Sequence, residues 1–285
     1  KGTSVAGVLT QSKCPSPEVE WCREALSTGL ARGLVVNAGN ANAFTGGRGK
    51  EAVQLILSMV SDNLTCAEEE VFVSSTGAIG VPLPKDKVEA GLKAVFKAEP
   101  CSWAEAAATI MTTDTFPKMA TTSAIIDGQT VHLNGIIKGS GMIAPDMATM
   151  LGYVFTDAAV DASFLQDILS IATAKSFNCI TVDSDTSTSD TVLAFATGQN
   201  GSPALSSFED PGADAFQAAL SDLCMQMAHL VVRDGEGASK FIEIAVTGAE
   251  SDDSPIHRQF SARKDRYCRR RCQLGANRNG GWQSG

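Results

Sequence analysis

The sequence predicts an α/β (mixed α+β) protein in which mixed sheets are packed by helices. Three observations carry this expectation. Short apolar runs that end at turn residues alternate with longer amphipathic runs. Asp127-Gly128 joins two β-rich runs, Thr121–Ile126 and Gln129–Ile137, as a tight hairpin turn would. With 44% hydrophobic residues, 285 residues can build one large core or two smaller ones.

The elements follow in order. Ser16-Pro17 followed by Glu18 and Glu20 opens a helix by N-cap and first-turn chemistry. Gly33 to Asn37 is a short buried strand that ends at a polar loop. Lys50 to Val60 is amphipathic and helical, and Glu70 to Ser74 is a second buried strand. Lys85 to Lys97 and Ser102 to Met111 read as helices, the second capped by Ser102. After the hairpin, Met150 to Phe155 is a strand, and Asp161 caps a helix that runs to about Lys175. Ile180 to Val182 is a strand, Ala213 to Val232 a long helix and Lys240 to Val246 a strand.

Net charge is −9, which argues against a nucleic-acid surface. The charge is uneven. Residues 256–285 carry eight Lys/Arg and one acid, a net +7, and the remainder carries fifteen against thirty-one, a net −16. No apolar run reaches the ~18–20 residues of a membrane span, so no membrane is expected. No charged segment followed by an apolar one stands at Lys1, so no signal peptide is expected. The chain opens at Lys1 without Met, and an N-terminal part is expected to be missing. Eight cysteines without a C-x-x-C pair read as scattered thiols in a reducing cytosol.

Five segments could carry chemistry. Asn37–Gly47 offers three Asn and many backbone N–H groups, or is an Asn-rich turn. In Ser74–Gly80 a strand ends in Thr76-Gly77, which can aim a hydroxyl and an N–H at one oxyanion, or is an ordinary strand-to-loop turn. Lys138–Leu151 is a glycine-rich stretch leading to Thr149 at the start of a β-run. A threonine hydroxyl is a poor nucleophile without a base. A cut just before Thr149 would free an α-amine that titrates near pH 8 beside it; the plain alternative is a linker and a strand.

Val182–Asp190 has spaced acids. An EF-hand counted from Asp183 would need Gly and Glu where Thr188 and Ala194 stand, so calcium is not expected, and a polar loop capping a helix near Thr191 is. Arg233–Lys240 places Glu236 between glycines, open to a cationic amine or simply a helix C-cap turn. His132, His229 and His257 are isolated. No Ser-His-Asp set and no metal-ligand cluster is suggested by spacing.

Taken in order, Asn37–Gly46, Ser74–Pro82, Thr112-Thr113-Asp114-Thr115, Lys138–Leu151 and Asp234–Lys240 resemble the signatures of the glutamate N-acetyltransferase/ornithine acetyltransferase family. The likeness runs from about Gly2 to Asp253, and Gly139–Leu151 with its Ala148-Thr149 junction is its most specific part. The resemblance implies a DmpA/ornithine-acetyltransferase-like sandwich with a second, smaller α/β lobe. It implies a precursor cut between Ala148 and Thr149 into an α-chain region, 1–148, and a β-chain region, 149–253. It implies Thr149 as nucleophile, Thr76 and Gly77 as oxyanion donors, and Thr112, Lys138, Thr149 and Glu236 as substrate-binding positions. The implied reaction moves acetyl from N-acetylornithine to glutamate, with acetyl-CoA as a possible further donor and no cofactor. The implied setting is an α2β2 assembly in the cytoplasm, within arginine biosynthesis.

The tail departs from the family. Residues 254–285 lose apolar periodicity, so low burial and little regular structure are expected there. Codons can be chosen for Ser254–Gly285 that, read one nucleotide later, spell an apolar helix and an Asp-Ala-Asn-Trp-Gly-Arg loop like the family's next segment. A reading-frame shift near Ser254-Pro255 is therefore expected, with a site lacking its C-terminal wall and weak substrate binding. Two competing readings remain: an N-terminal-nucleophile aminopeptidase or amidohydrolase, and a non-catalytic or inactive truncated product.

Overall fold

The computed structural model describes residues 2–141, 150–182, 187–245, 257–263, 275–276 and 282–283. Its centre is a six-stranded mixed sheet. Strands β1 (Thr3–Leu9), β2 (Leu30–Ala31), β5 (Lys118–Ile126), β6 (Gln129–Lys138), β7 (Leu151–Thr156) and β9 (Thr191–Ala196) stand in the order β2-β1-β9-β7-β6-β5. β7 and β9 are parallel and the other pairs antiparallel. β5 and β6 form the expected hairpin: Asp127 and Gly128 have φ of 48° and 76°, the positive values a type I′ turn requires.

Alternation along the central strands divides the core. Val192, Ala194 and Ala196 of β9 face α5 (Ala162–Lys175) and α6 (Ala213–Arg233), which pack on one side of the sheet. Leu193 and Phe195 face the other side, where they meet Tyr153, Val19 and Cys22 of α1 (Pro17–Ala25), Ala107 of α4 (Trp103–Thr109) and Phe72. Phe72 belongs to β4 (Val71–Ala78), which pairs in parallel with β3 (Gly33–Asn40) as a separate two-stranded sheet. On that pair lie α2 (Gly47–Leu64) and α3 (Lys85–Val95), around Val53, Ile56, Val60, Val71, Val73 and Leu92. Mixed sheets packed by helices are thus the observed architecture.

Local chemistry explains most boundaries. Pro17 sits at the first turn of α1, where its missing N–H costs nothing. Ser102 and Glu105 form a reciprocal capping box on α4. Asp161 stands at the N-cap of α5, and its carbonyl accepts the Leu165 N–H, although its side chain makes no cap bond.

Several expectations need correction. The segment at Thr191 is a strand, not a helix. All six residues of β9 are buried, and such a short apolar run, buried on both faces, carries no period that separates strand from helix. β1 and β2 lie where no element was expected. The expectation about apolar runs needs no correction: α6 has an 18-residue window of mean hydropathy 1.2, but Gln217, Asp222, Gln226 and His229 interrupt it and half of that window is buried within the protein. Little regular structure was expected after Ser254, but His257–Arg263 forms β11. It pairs with β10 (Ala238–Ala245) on one side and β8 (Ile180–Thr181) on the other, and the short strands β12 (Gly275–Ala276) and β13 (Trp282–Gln283) pair with each other. Backbone pairing draws on N–H and C=O groups that every residue type but proline supplies, so a strand can close an open edge without apolar periodicity.

Candidate active site

Two strand ends meet at a cleft of about 780 Å³. One is the C-terminal end of the parallel pair β3–β4, where parallel sheets commonly hold ligands. There Ala38 pairs with Thr76 and Gly39 with Gly77. The other is the edge of the main sheet where β6 ends and β7 and β9 begin. Lys138 pairs with Leu151, which pairs with Thr191.

Thr76, Gly77, Thr112, Lys138 and Glu236 all line this cleft. Residues up to 160 positions apart in sequence, Thr76 and Glu236, are therefore brought together. Ala148 and Thr149, the expected cleavage pair, lie outside the described residues. Met150, which follows Thr149, is described: its N–H donates to Asp190 Oδ1 at 2.8 Å and its carbonyl accepts the Thr191 N–H at 3.0 Å. Asp190 is fully buried. Burial pushes its carboxyl well above the usual range, against the opposing pull of the Met150 N–H, the Ser187 hydroxyl and the Lys138 charge.

Gly77 has φ +129°, and a Cβ added there would meet the Gly39 carbonyl carbon at 2.2 Å, its oxygen at 2.5 Å and Asn40 N at 2.6 Å. All three are backbone atoms that cannot step aside. Gly77→Ala is expected to cost at least about 2 kcal/mol of stability, which a thermal melt would read; an unchanged Tm contradicts the described backbone.

The Asn-rich segment is engaged in structure. Asn37 Nδ2 donates to the Asn40 carbonyl at 2.7 Å, Asn40 Nδ2 to the Val81 carbonyl at 2.9 Å, and Asn42 Nδ2 to Glu18 Oε1 at 2.9 Å. Asn42 has φ 51°, the left-handed conformation asparagine tolerates. From this segment the cleft takes Ala38, Gly39 and Ala41.

Glu18 Oε1 also accepts the Ser75 hydroxyl at 2.8 Å, directly behind Thr76. Burial pushes the Glu18 carboxyl up, against hydrogen bonds from Asn42 and Ser75. A folded pKa above the unfolded one means the fold favours the protonated acid. That contribution is fully present below the ordinary carboxyl pKa and is lost as pH rises through the folded value. Melts of Glu18→Gln and the parent protein should therefore diverge in favour of glutamine from acid to neutral pH. A difference that stays constant with pH would contradict a raised Glu18.

Lys138 is 2% exposed. Its Nζ donates to Thr76 Oγ1 at 3.4 Å and lies 4.0 Å from Asp114 Oδ2. Burial lowers its pKa below the usual lysine value, with Asp114 and Asp190 opposing and Lys118 adding to the effect. Glu236 is exposed in the cleft; its backbone N–H donates to the Ser140 carbonyl at 2.6 Å. Ser187, Thr188 and Ser189 also line the cleft; sequence reasoning held them within the candidate segment Val182–Asp190 but read it as a polar loop and gave them no site role. Their signal was the hydroxyl-rich run after Val182, of which residues 183–186 lie outside the described set.

The ArgJ family model matches residues 1–258. The chain belongs to the ArgJ family. It is 63% identical over 252 residues to the arginine biosynthesis bifunctional protein ArgJ of Zymomonas mobilis, covering 88% of this chain and 62% of that one. To the protein of the same name from Agrobacterium fabrum it is 52% identical over 256 residues, again covering 88% and 62%. Among solved structures it is similar to the ornithine acetyltransferase complexed with ornithine from Mycobacterium tuberculosis, at 30% identity and TM-score 0.42, over 53% of this chain and 79% of that one. The chain thus spans about three fifths of the length of the curated family members it matches.

Proposed function

We propose that this cleft moves an acetyl group from N-acetylornithine to glutamate through an acetyl ester on Thr149. The observation that carries the reading is that Thr76, Gly77, Lys138 and Glu236 share one cleft, at the sheet edge where the residue after Thr149 is fastened to Asp190. Family membership supports it, as do the names of the relatives, which are arginine biosynthesis bifunctional proteins and an ornithine acetyltransferase.

The chemistry proceeds in two stages. In the precursor the Thr149 hydroxyl attacks the Ala148 carbonyl, an N→O acyl shift gives an ester, and water hydrolyses it. The freed Thr149 α-amine then acts as base for its own hydroxyl. That hydroxyl adds to the acetyl carbonyl of N-acetylornithine. The Thr76 hydroxyl and Gly77 N–H hold the oxyanion, and collapse expels ornithine, whose nitrogen takes the proton from the α-ammonium. The glutamate amine attacks the acetyl ester and restores Thr149. Donor and acceptor alternate, so the kinetics are ping-pong. Lys138 and Glu236 bring opposite charges to one cleft, complementary to an amino acid with a carboxylate and a side-chain amine. Thr112 completes the substrate-binding set. Acetyl-CoA serves as an additional donor, no bound cofactor takes part, and the working protein is an α2β2 assembly of cleaved chains in the cytoplasm.

The experiment is incubation with N-acetylornithine and glutamate, scoring N-acetylglutamate against acetate. Amide hydrolysis without transfer would point to an aminopeptidase-like activity instead. Thr76→Ala is expected to lower kcat about 10²–10³-fold, the usual loss for one oxyanion donor. A raised KM with kcat preserved would make Thr76 a binding residue only.

A further inference from the structure

Behind the cleft wall lies a buried ionic cluster that the proposed chemistry does not use. Lys118 Nζ donates to Asp114 Oδ1 at 2.6 Å and to Asp234 Oδ2 at 2.5 Å, and the side chains of Lys118 and Asp114 are both 0% exposed. Asp114 also accepts the N–H of Thr112 at 3.1 Å and of Gly139 at 2.9 Å. Asp234 accepts the N–H of Thr115 at 2.8 Å and the Thr115 hydroxyl. The cluster joins three segments that each bring a residue to the cleft: the loop of Thr112, the end of β6 with Lys138, and the turn of Glu236. With Lys138 included, two lysines face two aspartates, so the buried charges balance. Among the described residues, Asp114 is the countercharge within 4.0 Å of Lys138.

We propose that Asp114, braced by Lys118, is a positioning residue that fixes Lys138 against Thr76 and so turns the Thr76 hydroxyl proton towards the cleft. The inference rests on the reading of Thr76 as an oxyanion donor. A threonine hydroxyl has one proton and two lone pairs, and an ammonium group can only donate. While Lys138 is charged and donates to Thr76 Oγ1, the hydroxyl proton must point elsewhere. Accepting from a cation also polarises the O–H bond and strengthens it as a donor. A donor already aimed at the place where negative charge develops needs no reorientation during the reaction. A neutral Lys138 would have a lone pair, and the hydroxyl could turn its proton inward to it. The charge on Lys138 therefore governs the oxyanion donor. Asp114 on the loop before β5, Lys118 on β5 and Asp190 before β9 set that charge, with Glu236 in the same cleft.

The full chain is assayed for self-cleavage and acetyl transfer across pH, with the Lys138 ammonium followed by NMR in the same proteins. The parent kcat should fall at alkaline pH as Lys138 loses its proton. Asp114→Asn keeps the shape and removes the countercharge, so Lys138 titrates lower. The alkaline limb of kcat should move down by about one pH unit, and kcat at neutral pH should drop about tenfold, with KM for N-acetylornithine changing less than about threefold. Asp234→Asn, which leaves the neighbour of Lys138 in place, should move the limb far less. The residual kcat of Thr76→Ala, read at saturating substrate so that binding by Lys138 drops out, should have no limb from Lys138. If Asp114→Asn leaves the limb in place while Thr76→Ala still loses its rate, the positioning role is overturned and the oxyanion assignment stands. A parental rate in Thr76→Ala overturns the site reading itself, and this inference with it. Should Asp114→Asn fail to fold, the Thr76→Ala profile decides, because a persisting Lys138 limb contradicts the proposal.

Discussion

Replacing Lys118 by methionine is expected to destabilise the protein by about 3–5 kcal/mol, the usual consequence of removing one partner from a buried ion pair. The replacement fills much the same volume but leaves Asp114 and Asp234 buried without their shared cation. The effect should depend on pH in a defined sense. Burial raises the Asp114 carboxyl, but hydrogen bonds from Lys118, Gly139 and Thr112 outweigh it and hold the folded pKa below the usual value. Its contribution is present above the ordinary carboxylate range and is lost as pH falls through the folded pKa. In Lys118→Met the main hydrogen bond holding the Asp114 carboxyl down is gone while its burial remains, so the deficit should be largest at neutral pH and shrink on acidification. Urea titrations of both proteins at neutral and mildly acidic pH test this. A loss below about 1 kcal/mol would mean that the cluster is solvated.

Thr149→Ala is expected to abolish both self-cleavage and acetyl transfer, because alanine supplies no hydroxyl for either ester. Thr149→Ser keeps the hydroxyl and should retain part of both activities. The comparison separates chemistry from folding. Thr149→Ala should migrate as one intact chain with an unchanged far-ultraviolet spectrum. Ordinary cleavage of that variant would remove Thr149 from the mechanism.

Much of the fold was legible because its elements carry local signals. Asp127-Gly128 fixes a hairpin by backbone preference, and Ser102 with Glu105 starts a helix by reciprocal hydrogen bonds. β3 and β4 were legible as strands but not in length. They run on through Asn40 and Ala78, so Thr76 and Gly77 stand on a strand end, as the reading of a strand ending in Thr76-Gly77 had it, and not in an ordinary turn. The run Thr191–Ala196 misled because a strand buried on both faces has no polar face to alternate with. His257–Arg263 misled for the opposite reason, being paired through its backbone between β10 and β8. The pairing of that strand does not test the reading-frame shift expected near Ser254-Pro255; the family match ends at residue 258, and sequencing of the coding DNA would test the shift.

The site was legible in part. Thr76, Gly77, Thr112, Lys138 and Glu236 were chosen from segment resemblance, and folding carries them to one cleft. The cluster beneath them was not legible. Asp114, Lys118 and Asp234 are ordinary charged residues in the sequence, and their meaning arises from burial together across well over a hundred positions. Asp190 was read as part of a polar loop, whereas it lies buried against the backbone of the residue that follows Thr149.

The most direct test of the central claim is mass spectrometry of the purified chain after incubation with N-acetylornithine and no glutamate. The account predicts two fragments, the second beginning at Thr149, and one acetyl group on Thr149 that disappears when glutamate is added. An uncut chain, or a cut chain that never carries acetyl on Thr149, would contradict it.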